Sequence, residues 1–200
     1  MPSFAADLPL TIERALQTTR QSFMQVAIDS NDLKIQMHRI GMRTDRSWIE
    51  NDTAPKETTP PTATVGKLKI GIRWTSDVDI DLYVRPRPGA TELYYGRNRS
   101  DDGVLDKDFV SSPRDSKGYE TVEFFSNVDL DEVVATVNFY SGTSASGVTG
   151  IVRVNFNDKM YDGEFRIPAA RGNKGGEISH REKSKYWQVL DLRQIVGLRK

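Results

Sequence analysis

Three aspartates stand at alternate positions in Asp77-Val78-Asp79-Ile80-Asp81, and a second acidic run, Asp101-Asp102-Gly103-Val104-Leu105-Asp106-Lys107-Asp108, follows. Side chains alternate faces along a strand, so Asp77, Asp79 and Asp81 would share one face while Val78, Ile80 and Leu82 share the other. Like charges about 6–7 Å apart repel unless water, arginine or a cation lies between them. A hard cation such as Ca2+ takes about six to eight oxygen ligands, and these two clusters are its natural source here. Asp77, Asp79, Asp81, Asp106 and Asp108 are therefore the candidate metal ligands. The competing reading is a solvated acidic face with Arg73, Arg97 and Arg99 as counter-charges. An EF-hand is excluded, because Leu82 stands where that loop needs glycine and Pro88 where it needs glutamate.

Other chemistries find less support. Cysteine is absent, which excludes a thiol nucleophile, a disulfide framework and a cysteine-based zinc site. The two histidines, His38 and His180, have no neighbouring serine in a nucleophile-elbow context. Arg171-Gly172-Asn173-Lys174-Gly175-Gly176 lacks the spacing of a phosphate loop. Lys174, His180, Arg181, Lys183, Lys185, Tyr186 and Trp187 mix positive charge with aromatic rings, a combination that can bind single-stranded nucleic acid. The net charge of the 200 residues is zero, so the expectation is a solvated loop and no nucleic-acid partner. Tyr83, Tyr94 and Tyr95 could stack on sugars if a shallow face exposes them; otherwise they are ordinary half-buried strand aromatics.

The elements that must position these residues change character along the chain. Over residues 10–44, Ile12, Leu16, Thr19, Phe23, Val26, Ser30, Leu33, Met37 and Ile40 alternate at spacings of four and three. That heptad pattern predicts an N-terminal helical arm over 1–50, either a coiled-coil stalk that self-associates or an amphipathic hairpin packed on its own domain. Leu16, Phe23, Val26, Leu33 and Ile40 would form the contact stripe of a homo-oligomer. Residues 51–64 hold three prolines and five threonines with almost no apolar side chain, and predict a linker. From Val65 to the end the period becomes two. Strand-like runs occur at Leu68–Trp74, Val78–Val84, Glu92–Gly96, Tyr119–Phe125, Val133–Tyr140, Gly150–Phe156, Met160–Ile167 and Tyr186–Leu192, separated by turn residues. About eight short strands with no helical period between them predict a mainly β domain over 65–200, an antiparallel β-sandwich.

The order Arg73-Trp74, Asp79-Ile80-Asp81-Leu82-Tyr83-Val84, Pro88-Gly89, Leu93-Tyr94-Tyr95, Ser100, Gly103, Leu105-Asp106 and Asp108 resembles the bacterial YfaP-type β-sandwich domains. It is more distantly similar to the tellurite-resistance TerD family, whose β-sandwich binds calcium through acidic loops. The resemblance covers about 40 residues, Arg73 to Asp108. It implies a fold, an extracytoplasmic setting and calcium ligation by Asp79, Asp81, Asp106 and Asp108. After Asp108 the pattern departs: Phe109-Val110-Ser111-Ser112-Pro113-Arg114 stands where a glycine-rich acidic turn belongs.

The expectation is a non-enzymatic binding or structural module, calcium-stabilised, with a protein or glycan partner. Its rivals are a carbohydrate-binding or accessory module of a hydrolase system, and a hydrolase. The periplasm or the exterior is the expected location, since Ser3-Phe4-Ala5-Ala6-Asp7 resembles a leader cleavage region, with the cytoplasm as the alternative. No apolar run is long enough to span a bilayer.

Overall fold

The structure, a computed structural model, describes residues 47–50, 55–106 and 118–198. Residues 1–46 of the expected helical arm, with the whole heptad stripe, lie outside the described residues, as does Asp108. A compact unit runs from Thr44 to Lys200. Its elements are α1 Ser47–Glu50, β1 Val65–Gly66, β2 Leu68–Trp74, β3 Asp79–Arg85, β4 Gly103–Leu105, β5 Gly118–Phe124, β6 Val128–Asp129, β7 Val134–Ser141, β8 Val148–Phe156, β9 Lys159–Ile167, a 3-10 segment Ile178–Lys183, β10 Trp187–Leu190 and α2 Leu192–Ile195.

Two antiparallel sheets dominate. One has the order β4-β5-β2-β8-β9, the other β10-β7-β3, and β1 pairs with β6 in a short ribbon. The period-two pattern places one face of each strand in the core between the sheets. Leu68, Ile70, Ile72 and Trp74 of β2 are buried there with Val152, Val154 and Phe156 of β8, and with Ile80, Leu82 and Val84 of β3 and Val137 and Phe139 of β7. Each fully buried aliphatic or aromatic side chain contributes about 1.5–3 kcal/mol. The free edge of β3 is closed by Glu120 of β5, whose buried carboxylate accepts the Leu82 N–H at 2.7 Å. An unpaired edge donor would otherwise invite another strand.

Three elements differ from expectation. Glu92–Gly96 is no strand. Leu93 exchanges two backbone hydrogen bonds with Val84 at the end of β3, and Tyr94 and Arg97 then pair with each other to close a tight turn. The aromatic pair Tyr94-Tyr95 therefore sits on a loop, and β4 forms an edge of the other sheet, beside β5. Tyr186–Leu192 splits: the strand ends at Leu190, and Asp191 caps α2 by accepting the Gln194 N–H at 3.0 Å.

The third difference concerns the proline- and threonine-rich segment. Over residues 55–64 it belongs to the compact unit, because polar anchors replace the missing apolar ones. Glu57 N–H donates to Met160 O at 2.6 Å, Tyr161 OH to Thr59 O at 3.2 Å, and Lys56 pairs with Asp162 at 2.7 Å. Just upstream, Ile49 of α1 is fully buried on the outer face of the five-stranded sheet. It fills the notch over Gly71, where a Cβ would lie 2.6 Å from Ile49 Cδ1. Arg153, 1% exposed, holds this junction together. It donates to Trp48 O at 2.9 Å and grips its cross-strand neighbour Asp162 with two bonds of 2.8 and 3.0 Å. Arg73 donates to Ile49 O at 3.2 Å.

Candidate binding face

Strand β3 carries the acidic pattern, and its outward side bears Asp79, Asp81, Tyr83 and Arg85. The register places Asn138 of β7 beside Asp81 and Thr136 beside Tyr83, and sets Trp187 of β10 beside Asn138. These residues therefore share the outer face of the three-stranded sheet. The face is covered: Asp79 is 5% exposed and Asp81 2%. Asp79 accepts a hydrogen bond from Ser141 Oγ at 3.3 Å.

The other acidic candidates go elsewhere. Asp77 is exposed in the turn before β3, where Trp74 Nε1 donates to Val78 O at 2.9 Å and closes the chain reversal. Asp106 follows β4 and is partly exposed, with its N–H donating to Thr121 O. The structure thus unites Asp79 and Asp81 on one strand face and leaves Asp77 off that strand. Among the described residues, no three acidic or histidine side chains converge as a cation would require. Those residues alone do not make up a calcium cage of six to eight oxygens.

The cover is an aromatic cluster. Tyr94 stacks on Tyr83 with centroids 5.1 Å apart and planes within 8°, and Trp187 tilts against the same ring at 4.9 Å. Tyr95 meets Tyr83, Tyr94 and Tyr140 by its edge or face, at 6.5, 5.3 and 5.3 Å. Such offset and edge contacts suit the quadrupoles of the rings, at about 0.5–1.5 kcal/mol each. Arg181 then clamps the 3-10 segment to the sheet. It binds Glu92 with two bonds of 2.6 and 2.7 Å, donates to Thr136 Oγ1 at 3.1 Å, and lies over the rings of Tyr83 and Trp187 at 4.9 and 4.6 Å. Asn138 ties in the 173–186 loop by donating to Asn173 Oδ1 and Tyr186 O, and Trp187 Nε1 donates to Gly176 O at 2.7 Å.

Burial, and after it the nearby Asp81 charge, pushes the Tyr83 hydroxyl far above the ordinary tyrosine range. The hydrogen bond with Tyr140, then burial, raises Tyr95 to about 12. Both hydroxyls are neutral near pH 7 and can donate. Tyr95 is 39% exposed and carries the cluster to the surface. At the other end of β3 the face opens into a cavity of about 520 Å3 lined by Arg85, Val134 and the 3-10 segment.

Arg181, Glu92, Thr136 and Asn138 carry this architecture, and of these only Arg181 stands out in the sequence, as part of a basic and aromatic mixture. That mixture is partly spent internally, because Arg181 is committed to Glu92 and two rings, and Lys174 Nζ sits 5.0 Å over Tyr140. A scan against family models and a search of curated proteins found no match to this chain.

Proposed function

We propose that the chain is a non-enzymatic binding module whose ligand meets the outer face of the three-stranded sheet. The observation that carries this reading is the cover of that face. Its polar and aromatic side chains are fixed by one another, and they reach solvent at Tyr95 on one side and at the Arg85 cavity on the other. Recognition surfaces gain from such preorganisation, since side chains already immobilised lose little entropy on binding.

A carbohydrate partner is the second reading, and the part-exposed Tyr95 ring favours it, since such rings stack on sugar faces. The extracytoplasmic setting rests on the resemblance to YfaP-type domains. The test is a glycan and peptide array probed with the full chain, followed by the same array with Tyr95→Ala and Arg85→Gln. Ligands weakened by either substitution support the face. Ligands indifferent to both contradict it.

A further inference from the structure

We propose that the cavity beside the 3-10 segment binds a monocarboxylate carrying an apolar body. This deepens the binding-module reading and rests on it. The cavity is half open to solvent, and its volume of about 520 Å3 is that of a small-ligand site. Arg85, the last residue of β3, lines it on the same strand face as Asp81 and Tyr83.

Arg85 is unusual among the part-buried arginines. Arg87, Arg153, Arg181 and Arg193 each bind a carboxylate. Arg85 is half-buried, its Nε is out of reach of solvent, and among the described residues it meets no acceptor. The buried Nε has lost its hydration without recovering it in a hydrogen bond. An arriving carboxylate restores both charge balance and hydrogen bonding, and the planar fork of arginine matches its two oxygens.

The other walls limit the ligand further. Arg181 and Glu92 neutralise each other across their two short bonds, leaving Arg85 and Lys183 opposite Glu182. The excess is one positive charge, which suits a monoanion and disfavours a phosphate dianion beside two glutamates. Val134 and Ile178 supply the apolar wall, and Ile178 is 50% exposed. A free small acid and the C-terminal residue of a peptide both present a carboxylate beside an apolar group.

The test is titration of the isotope-labelled full chain, followed by NMR, with N-acetylleucine, its amide, and acetyl-Ala-Ala-Leu with a free or amidated terminus. The acids should shift the amides of residues 178–183 and bind at least tenfold tighter than their amides. Arg85→Gln should lose at least tenfold in affinity, Arg85→Lys less, and neither should lower the melting temperature, because Arg85 has no internal partner to lose. Tighter binding of the tripeptide assigns a peptide terminus; equal binding assigns a small acid. No shift with either acid, equal affinity of acid and amide, or affinity unchanged in Arg85→Gln overturns the proposal. Array ligands that depend on Tyr95 but not on Arg85 would leave the binding face standing while this site falls.

Discussion

Arg181→Met should destabilise the fold by about 2–3 kcal/mol while leaving both sheets formed. The substitution keeps an unbranched apolar stem and removes the guanidinium. Two charge-assisted bonds to Glu92 disappear, and both partners are partly exposed, so the pair is worth about 1–2 kcal/mol after solvent screening. Two cation–π contacts, over Tyr83 and Trp187, add about 0.5–1 kcal/mol each, and Met recovers a fraction through sulfur–ring contact. For a unit of this size about 2–4 °C accompanies each kcal/mol, so the midpoint should fall by about 4–12 °C. Thermal unfolding of the full chain by circular dichroism measures it. Glu92→Gln alone and the double variant complete a cycle, in which a coupling of about 1–2 kcal/mol is expected. A midpoint that drops by less than about 2 °C, or two losses that simply add, would refute the clamp.

Further outcomes follow from the same contacts. Asp162 is held below its ordinary 3.8: burial raises it, but hydrogen bonds from Arg153 and Lys56 outweigh that. Its depressed folded pKa contributes stability that is present above the unfolded value and lost as pH falls through the folded one. Asp162→Asn should therefore flatten the acid limb of a melting-temperature profile below about pH 4, and an unchanged limb would contradict it. Ile49→Ala should cost about 2–5 kcal/mol locally, and Gly71→Ala should expel the same side chain. Limited proteolysis of the full chain should then cut near residues 51–54 faster while the sandwich persists; equal cutting rates would show that Ile49 does not anchor the segment. If calcium joins Asp79 and Asp81, a hundredfold excess over its dissociation constant adds about 2.7 kcal/mol, and Asp79→Asn with Asp81→Asn abolishes the gain. A midpoint that ignores both calcium and chelator would show that these aspartates hold no calcium.

Where burial follows from local alternation, the fold was legible. Leu68, Ile70, Ile72 and Trp74 point one way because the strand period is two, and any partner sheet must bury that side. The same rule put Asp79 and Asp81 on one face. It did not show that the face is closed, because the cover comes from Tyr94-Tyr95 and from residues 173–187, about a hundred residues downstream of β3. Composition does not show how 55–64 is held, for a related reason. A segment without apolar residues can still be anchored through backbone bonds and ion pairs, as Glu57, Thr59 and Lys56 are to β9. Glu92–Gly96 has strand-forming residues, but Gly96 and the Tyr94–Arg97 pairing turn the chain back before a ladder can extend. Arg85 carried no signal at all, since an arginine ending a strand is ordinary until its lack of an acceptor is seen.

The central claim, that ligands meet the outer face of the three-stranded sheet, is tested most directly by mapping amide shifts of the full chain as an array-selected ligand is titrated. The shifts should concentrate at Tyr95, Thr136, Arg85 and residues 178–187. Shifts concentrated instead on β2, β8 and β9 of the five-stranded sheet would contradict it.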